Sequence, residues 1–181
     1  MLKHYIIIGL ISMVPLIELR GAIPYSQVFG LPMIPSFIIC IICNMIPVPF
    51  IYWLARKVLE WGKDKPIIGG FFTWCLEKGE RGGKKLRESA GTKGIFLALL
   101  LFVGIPLPGT GAWTGTLAAS FLKLDFKTSI YAVSLGVILA GIIMSVGSKI
   151  VAFFGWTGIA LLVVVIALIA VIIMRKNKKK E

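Results

Sequence analysis

Two short stretches interrupt the apolar sequence of this chain: residues 18–24 read ELRGAIP, and residues 104–111 read GIPLPGTG. Proline fixes φ and removes a backbone donor, and glycine permits sharp turns, so both stretches are predicted to break helical structure. The apolar runs that lead into them, Tyr5–Ile17 and Gly94–Ile105, are thirteen and twelve residues long. Such runs are typical of half-helices or re-entrant segments, because crossing a bilayer takes about 20 residues. The sequence therefore predicts two helical hairpins with broken tips.

The composition of the chain excludes a water-soluble domain. Of its 181 residues, 57% are hydrophobic and 15% are charged, and the mean hydropathy is +0.92. Soluble domains are about 45–50% apolar and about 25% charged, and disordered chains are more polar still. Three cysteines are an odd number, which does not favour a disulfide framework. The chain is therefore predicted to be an all-α integral membrane protein.

Three runs without a charged residue are long enough to cross a bilayer core of about 30 Å: Leu31–Ala55, Ser129–Gly147 and Val151–Met174. With the hairpins, they predict about three full transmembrane helices plus two opposed re-entrant helical hairpins, arranged as an inverted repeat. The predicted segments of this single membrane domain (1–181) are a first hairpin (5–30), a transmembrane helix (31–55), a cytoplasmic loop (56–93), a second hairpin (94–127), two transmembrane helices (129–147 and 151–174) and a basic cytoplasmic tail (175–181).

Basic residues are concentrated in two segments beside the apolar runs. The net charge is +12, of which residues 56–93 carry +5 (ten basic, five acidic) and residues 175–181 carry +4 (five basic, one acidic). The positive-inside rule places both segments in the cytoplasm, and no motif for nucleic acid accompanies the charge. The second hairpin then starts and ends on the cytoplasmic side. A first hairpin leaves the amino terminus outside, whereas a single crossing there would leave it inside; both alternatives stay open.

Glu18 and Arg20 are isolated charges in an apolar setting. Glu18 is the only acidic residue among the first 59, and Arg20 is the only basic residue between Lys3 and Arg56. A charge near the bilayer centre costs about 2.5–3.5 kcal/mol on insertion scales, so it must be paired or hydrated. In one interpretation the two side chains compensate one another and fix the hairpin tip. In the other, Glu18 exchanges a proton and Arg20 binds an anionic head group, for which its bidentate geometry is suited.

The second hairpin offers hydroxyls and backbone groups, because no residue from 94 to 122 is ionisable. Free amides at the end of a half-helix, with hydroxyls beside them, can bind an anionic substrate. Small residues equally allow membrane helices to pack closely. The candidate substrate- or proton-binding residues of the two motifs are Glu18, Arg20, Pro24, Pro106, Pro108, Gly109, Thr110, Gly111, Trp113 and Thr114.

The two motifs together resemble those of the small multidrug export protein family of bacteria and archaea. The resemblance rests on residues 18–24 and on residues 104–115, GIPLPGTGAWTG, and it extends over nearly the whole chain. That family is in turn distantly similar to the DedA (SNARE-associated, VTT) superfamily of lipid translocators, which implies opposed re-entrant hairpins and lipid movement coupled to a proton gradient. By this resemblance Glu18 corresponds to the acid of the first hairpin and Arg20 to a nearby essential arginine. Thr110 stands where DedA proteins carry a basic residue.

These patterns predict a small membrane transporter driven by an ion gradient, which moves an amphipathic small molecule or a lipid through a cavity between the hairpins. The alternative is a scaffold or assembly factor that transports nothing. Neither is an enzyme, and the sequence predicts no cofactor and no metal; Cys40 and Cys43 are interpreted as buried small apolar residues rather than a redox pair. The predicted partners are membrane lipids, the substrate and further copies in a homo-oligomer, but no nucleic acid. The predicted location is the cytoplasmic membrane, crossed several times.

Overall fold

The computed structural model describes residues 1–66, 69–107 and 109–154, and every regular element in them is a helix. Two segments, Met33–Lys63 and Phe126–Val151, are long and apolar enough to cross a membrane. The helices are α1 (Leu2–Met13), α2 (Glu18–Val28), α3 (Met33–Met45), α4 (Pro47–Lys63), α5 (Gly69–Gly104), α6 (Ala112–Phe121) and α7 (Phe126–Phe154). The predicted all-α class is confirmed for these residues.

Helices α1 and α2 form a hairpin whose tip is residues 14–17. Its two ends lie together, because the rings of His4 and Phe29 stack at 4.7 Å. The break contains Pro15, and Leu16 and Glu18 adopt positive φ angles of 70° and 51°. The prediction that residues 18–24 are irregular is therefore wrong: α2 begins at Glu18 and continues past Pro24. The irregular backbone lies one turn earlier: α1 ends before Val14, whose backbone is extended as expected before a proline.

The second hairpin consists of α6 and the part of α5 that follows Gly91. Gly91 has a φ of 61° and bends α5 there, which separates its charged first part from its apolar second part. The two arms pack closely, since a Cβ added at Gly115 would lie 2.5 Å from Cγ2 of Val103. The described residues of the break between the arms are 105–107 and 109–111.

The two hairpins enter the bundle from opposite ends. Phe37 of α3 lies against Gly141, and Tyr52 of α4 packs edge-to-face on Phe126 at 5.1 Å. The segment α3–α4 is therefore antiparallel to α7, so α3 and α7 begin at opposite ends. The first hairpin leads into α3 and the second into α7, with only residues 29–32 and 122–125 between them. Small buried residues, Ala22, Ala112, Ala119, Ala132 and Ala140, line the core where the hairpins pack together with α7.

Three boundaries differ from the predicted ones. Of residues 56–93, predicted as a loop, 56–63 belong to α4 and 69–93 belong to α5 with its bend at Gly91; i,i+4 ion pairs such as Arg56–Glu60 (3.0 Å) support these charged helices. The predicted span 31–55 is divided at Ile46 before Pro47 and continues to Lys63. Helix α7 passes without interruption through residues 148–150, predicted to link two spans. Most of the predicted third span, 151–174, and the tail, 175–181, lie outside the described residues.

Candidate functional site

The carboxylate of Glu18 binds the amino terminus of α6. Glu18 is only 3% exposed. Its Oε2 accepts a hydrogen bond from the backbone N–H of Ala112 at 3.2 Å, and its Oε1 accepts one from the backbone N–H of Trp113 at 3.1 Å. The first N–H groups of a helix have no partner within the helix, and the helix dipole favours a negative charge there. A buried acid of the first hairpin therefore caps a helix of the second.

Arg20 binds the carboxyl terminus of α5 in the same way. Its guanidinium donates hydrogen bonds to the backbone carbonyls of Leu107 (3.0 Å), Val103 (3.2 Å) and Ile105 (3.4 Å), and to the hydroxyl of Thr110 (3.0 Å). The last carbonyls of a helix are unpaired and carry the negative end of its dipole. A single planar group with several donors suits such a cluster of acceptors.

The acid and the base are thus matched to the two helix ends that the break creates. In the described part of the chain, Glu18 and Arg20 form no salt bridge with each other. The interpretation that the two compensate one another stays a prediction: Glu18 and Arg20 interact electrostatically, while their hydrogen bonds go to groups of the other hairpin. Their i,i+2 spacing allows the two side chains to reach different helix ends.

Two glycines of the break are required by geometry. Gly109 has a φ of 81°, which an L side chain rarely adopts. A Cβ added at Gly111 would lie 2.7 Å from Oε1 of Glu18 and closer still to Oε2. The backbone at Gly111 can therefore approach the Glu18 carboxylate only because this residue has no side chain.

The remaining candidate residues support the break or lie beside it. The hydroxyl of Thr110, besides accepting from Arg20, donates to the Ile105 or Leu107 carbonyl at 2.9 Å. Thr114 donates to the Gly111 carbonyl at 3.4 Å. The other predicted residues are Pro106 within the break, Pro24 inside α2, away from the break of its own hairpin, and Pro108, which lies outside the described residues.

Several groups at this site give no signal in a sequence. The partners of Glu18 and Arg20 are mainly backbone groups, which every residue possesses.

Two buried side-chain nitrogens, Nε1 of Trp113 and Nε of Arg20, have no hydrogen-bond partner among the described residues. Within the same part of the chain, no group of three histidine, cysteine, aspartate or glutamate residues is placed to hold a metal ion.

Comparison with known proteins identifies a family for this chain. Residues 18–143 match the family described as "Putative small multi-drug export protein". The matched region begins at Glu18, directly after the tip of the first hairpin, and contains the second hairpin and the first part of α7. No curated protein and no solved structure matches the chain.

Proposed function

Since the chain belongs to the small multidrug export protein family, we propose that it is a membrane exporter in which protonation of Glu18 controls the contact between two re-entrant hairpins. The observation that carries this proposal is the buried Glu18 carboxylate, which joins α2 to the amino terminus of α6. The substrate is an amphipathic small molecule or a lipid, and an ion gradient drives its movement.

The lengths of the hairpin arms support re-entrant insertion. Helix α1 has 12 residues and α6 has 10, so they extend about 18 and 15 Å at roughly 1.5 Å per residue. A bilayer core of about 30 Å is longer than either. With the basic ends of α4 and α5 in the cytoplasm, as the positive-inside rule requires, the second hairpin enters from that side and the first from outside. Their tips then meet near the bilayer midplane.

A proton on Glu18 would weaken the contact between the tips. The carboxylate accepts two backbone hydrogen bonds at the positive end of α6, and hydrogen bonds to a charged group contribute about 1.5–3 kcal/mol each. Protonation removes the charge and turns one oxygen into a donor, which faces an N–H rather than an acceptor. The α6 terminus is then free to separate from α2, while Arg20 keeps its own contacts with α5.

The separated tips provide a site for an anionic substrate group. The freed N–H groups of Ala112 and Trp113 point to the position that the carboxylate occupied, and oriented amides at a helix terminus bind anions. Arg20 supplies a fixed positive charge beside them. Replacement of the Glu18 carboxylate by the anionic group of the substrate would couple proton binding to substrate movement. Because one bundle is small, a homo-oligomer would complete the walls of the transport cavity.

A second candidate function is a non-transporting scaffold. It is favoured by one observation: the charged groups of Glu18 and Arg20 form several hydrogen bonds with the other hairpin. Such a clamp would hold the hairpins together permanently. In this case the charged helices α4 and α5 would recruit anionic lipid or a protein partner.

The experiment that separates the two functions compares Glu18→Gln with Glu77→Gln, which removes an exposed acid from α5. Glutamine retains one acceptor for the α6 amides but cannot exchange a proton. Lipid or drug flux is measured in proteoliposomes with and without a pH gradient, with folding checked by gel filtration. The exporter predicts loss of the gradient-dependent flux in Glu18→Gln only. The scaffold would be supported if Glu18→Gln showed the same gradient-dependent flux as the wild type, or if neither the wild type nor the two variants showed any flux.

A further inference from the structure

A groove lies between α7 and the part of α5 that follows Gly91. Its volume is about 730 Å³. Lys93 of α5 and Lys127 of α7 line its polar end, and both side chains are exposed. Among the described residues, neither lysine forms a salt bridge. Two ammonium groups from different helices therefore face the same opening.

Among the described residues, the one acidic residue of the groove forms no salt bridge with these lysines, although the charge of Lys127 contributes to the lowered pKa of Asp125. Oδ2 of Asp125 accepts hydrogen bonds from the backbone N–H of Thr128 at 3.0 Å and from its hydroxyl at 3.1 Å. These bonds hold the pKa of Asp125 below its usual value. The carboxylate is occupied as the cap of α7, whose amino terminus favours a negative charge.

The opposite end of the groove is apolar. Phe96, Tyr131 and Leu135 line it, and Tyr131 and Leu135 are 66% and 47% exposed. Tyr131 and Leu135 follow Lys127 along α7 at intervals of four residues, so the three side chains form one stripe on the surface of α7. The groove thus changes from cationic to apolar within two turns, as a phospholipid changes from head group to acyl chain.

Both helices change character at this same level. No residue of α5 from 94 to 104 is ionisable, whereas the part before Lys93 is densely charged. Helix α7 carries no charge between Lys127 and Lys149. Phe126–Val151 is a segment that can cross a membrane, and Lys127 lies at its beginning. Lys127, together with Lys93 of α5 across the groove, would therefore lie at the depth of the lipid head groups.

We propose that this groove is a binding site for one anionic glycerophospholipid, with its phosphate between Lys93 and Lys127 and an acyl chain along Phe96, Tyr131 and Leu135. Charge complementarity and the apolar stripe together select a lipid over a soluble anion or a neutral lipid. The site is separate from the hairpin tips and does not depend on the exporter proposal; a scaffold would carry it as well.

The test is a titration of the purified full-length chain in neutral detergent with phosphatidylglycerol or phosphatidylcholine, followed by native mass spectrometry. The double variant Lys93→Gln/Lys127→Gln should weaken phosphatidylglycerol binding about twenty-fivefold, because each basic residue near a membrane surface contributes roughly a factor of five. The matched control is Lys84→Gln/Lys85→Gln, which removes the same charge from α5 outside the groove and should leave the affinity unchanged. Lys93→Arg/Lys127→Arg should retain binding.

Three outcomes would overturn the proposal. Equal affinity for phosphatidylcholine would remove the role of charge. Competition by glycerol phosphate at the same concentration as the lipid would make the groove a simple anion site. Unchanged phosphatidylglycerol binding in Lys93→Gln/Lys127→Gln would mean that the lipid binds elsewhere.

Discussion

Replacing Gly111 by alanine should break the contact between the two hairpin tips. The new Cβ would lie 2.7 Å from Oε1 of Glu18 and closer to Oε2, so the carboxylate must move away. Glu18 would then lose its hydrogen bonds to the N–H groups of Ala112 and Trp113. At the lower value of about 1.5 kcal/mol for each charge-assisted bond, the loss is about 3 kcal/mol. Backbone strain at a φ of 156° adds about 1 kcal/mol, so Gly111→Ala should lower the free energy of unfolding by about 4 kcal/mol.

The matched control is Gly109→Ala in the same break. Gly109 also has a positive φ, but an added Cβ there meets no atom of the described, non-adjacent residues within 4 Å. Its cost is backbone strain alone, about 1–2 kcal/mol. Stability is measured by denaturant titration of the purified protein in detergent, with unfolding followed through reaction of the buried thiol of Cys40.

A double-mutant cycle isolates the contribution of Glu18. In a Glu18→Ala background the carboxylate is absent, so Gly111→Ala should cost only the strain, and the two substitutions should show a coupling of about 3 kcal/mol. Equal losses for Gly111→Ala and Gly109→Ala in the wild-type background, or a coupling near zero, would refute the inference that the Glu18 carboxylate joins the hairpins.

Three further predictions concern other parts of the bundle. Asn44 is fully buried and, within the described residues, neither polar atom of its side chain has a hydrogen-bond partner. Asn44→Leu should therefore raise the free energy of unfolding by about 1–3 kcal/mol. A lower free energy of unfolding would mean that the amide binds a group essential to the fold. The pKa of Asp125 is lowered, first because its carboxylate accepts a hydrogen bond from the Thr128 N–H. Its contribution to stability is therefore complete above the usual pKa of 3.8 and disappears as the pH falls through the lowered pKa. In Asp125→Ala, the stability measured against pH should fall less steeply on the acid side. In a cysteine-free background, single cysteines at Phe29 and Lys123 should react with an impermeant reagent from opposite sides of the membrane, and labelling from the same side would exclude opposed hairpins.

Much of the fold follows from local sequence. The proline- and glycine-rich residues 104–111 predict a helix break, and the structure has one between α5 and α6. The break of the first hairpin is predicted too late, because residues 18–24 contain the conspicuous charges while Pro15 ends the preceding helix. The charged residues 56–93 resemble a loop by composition, yet their i,i+4 pairs and their packing against α6 make them helical; Gly79 and Gly83, for example, contact the backbone of Phe121 and Leu122.

The sequence alone determines that this chain is apolar enough for a membrane, that its helices break at two places, and that one acid and one base lie near the first break. Only the tertiary structure decides what those charges bind. Apart from the Thr110 hydroxyl, their partners are backbone groups 83 to 95 residues away. A peptide N–H or C=O is the same at every position, so no residue type marks it in advance. A helix end acquires its partial charge only once the helix forms and stops, and only folding brings the end of one hairpin to the acid and the base of the other.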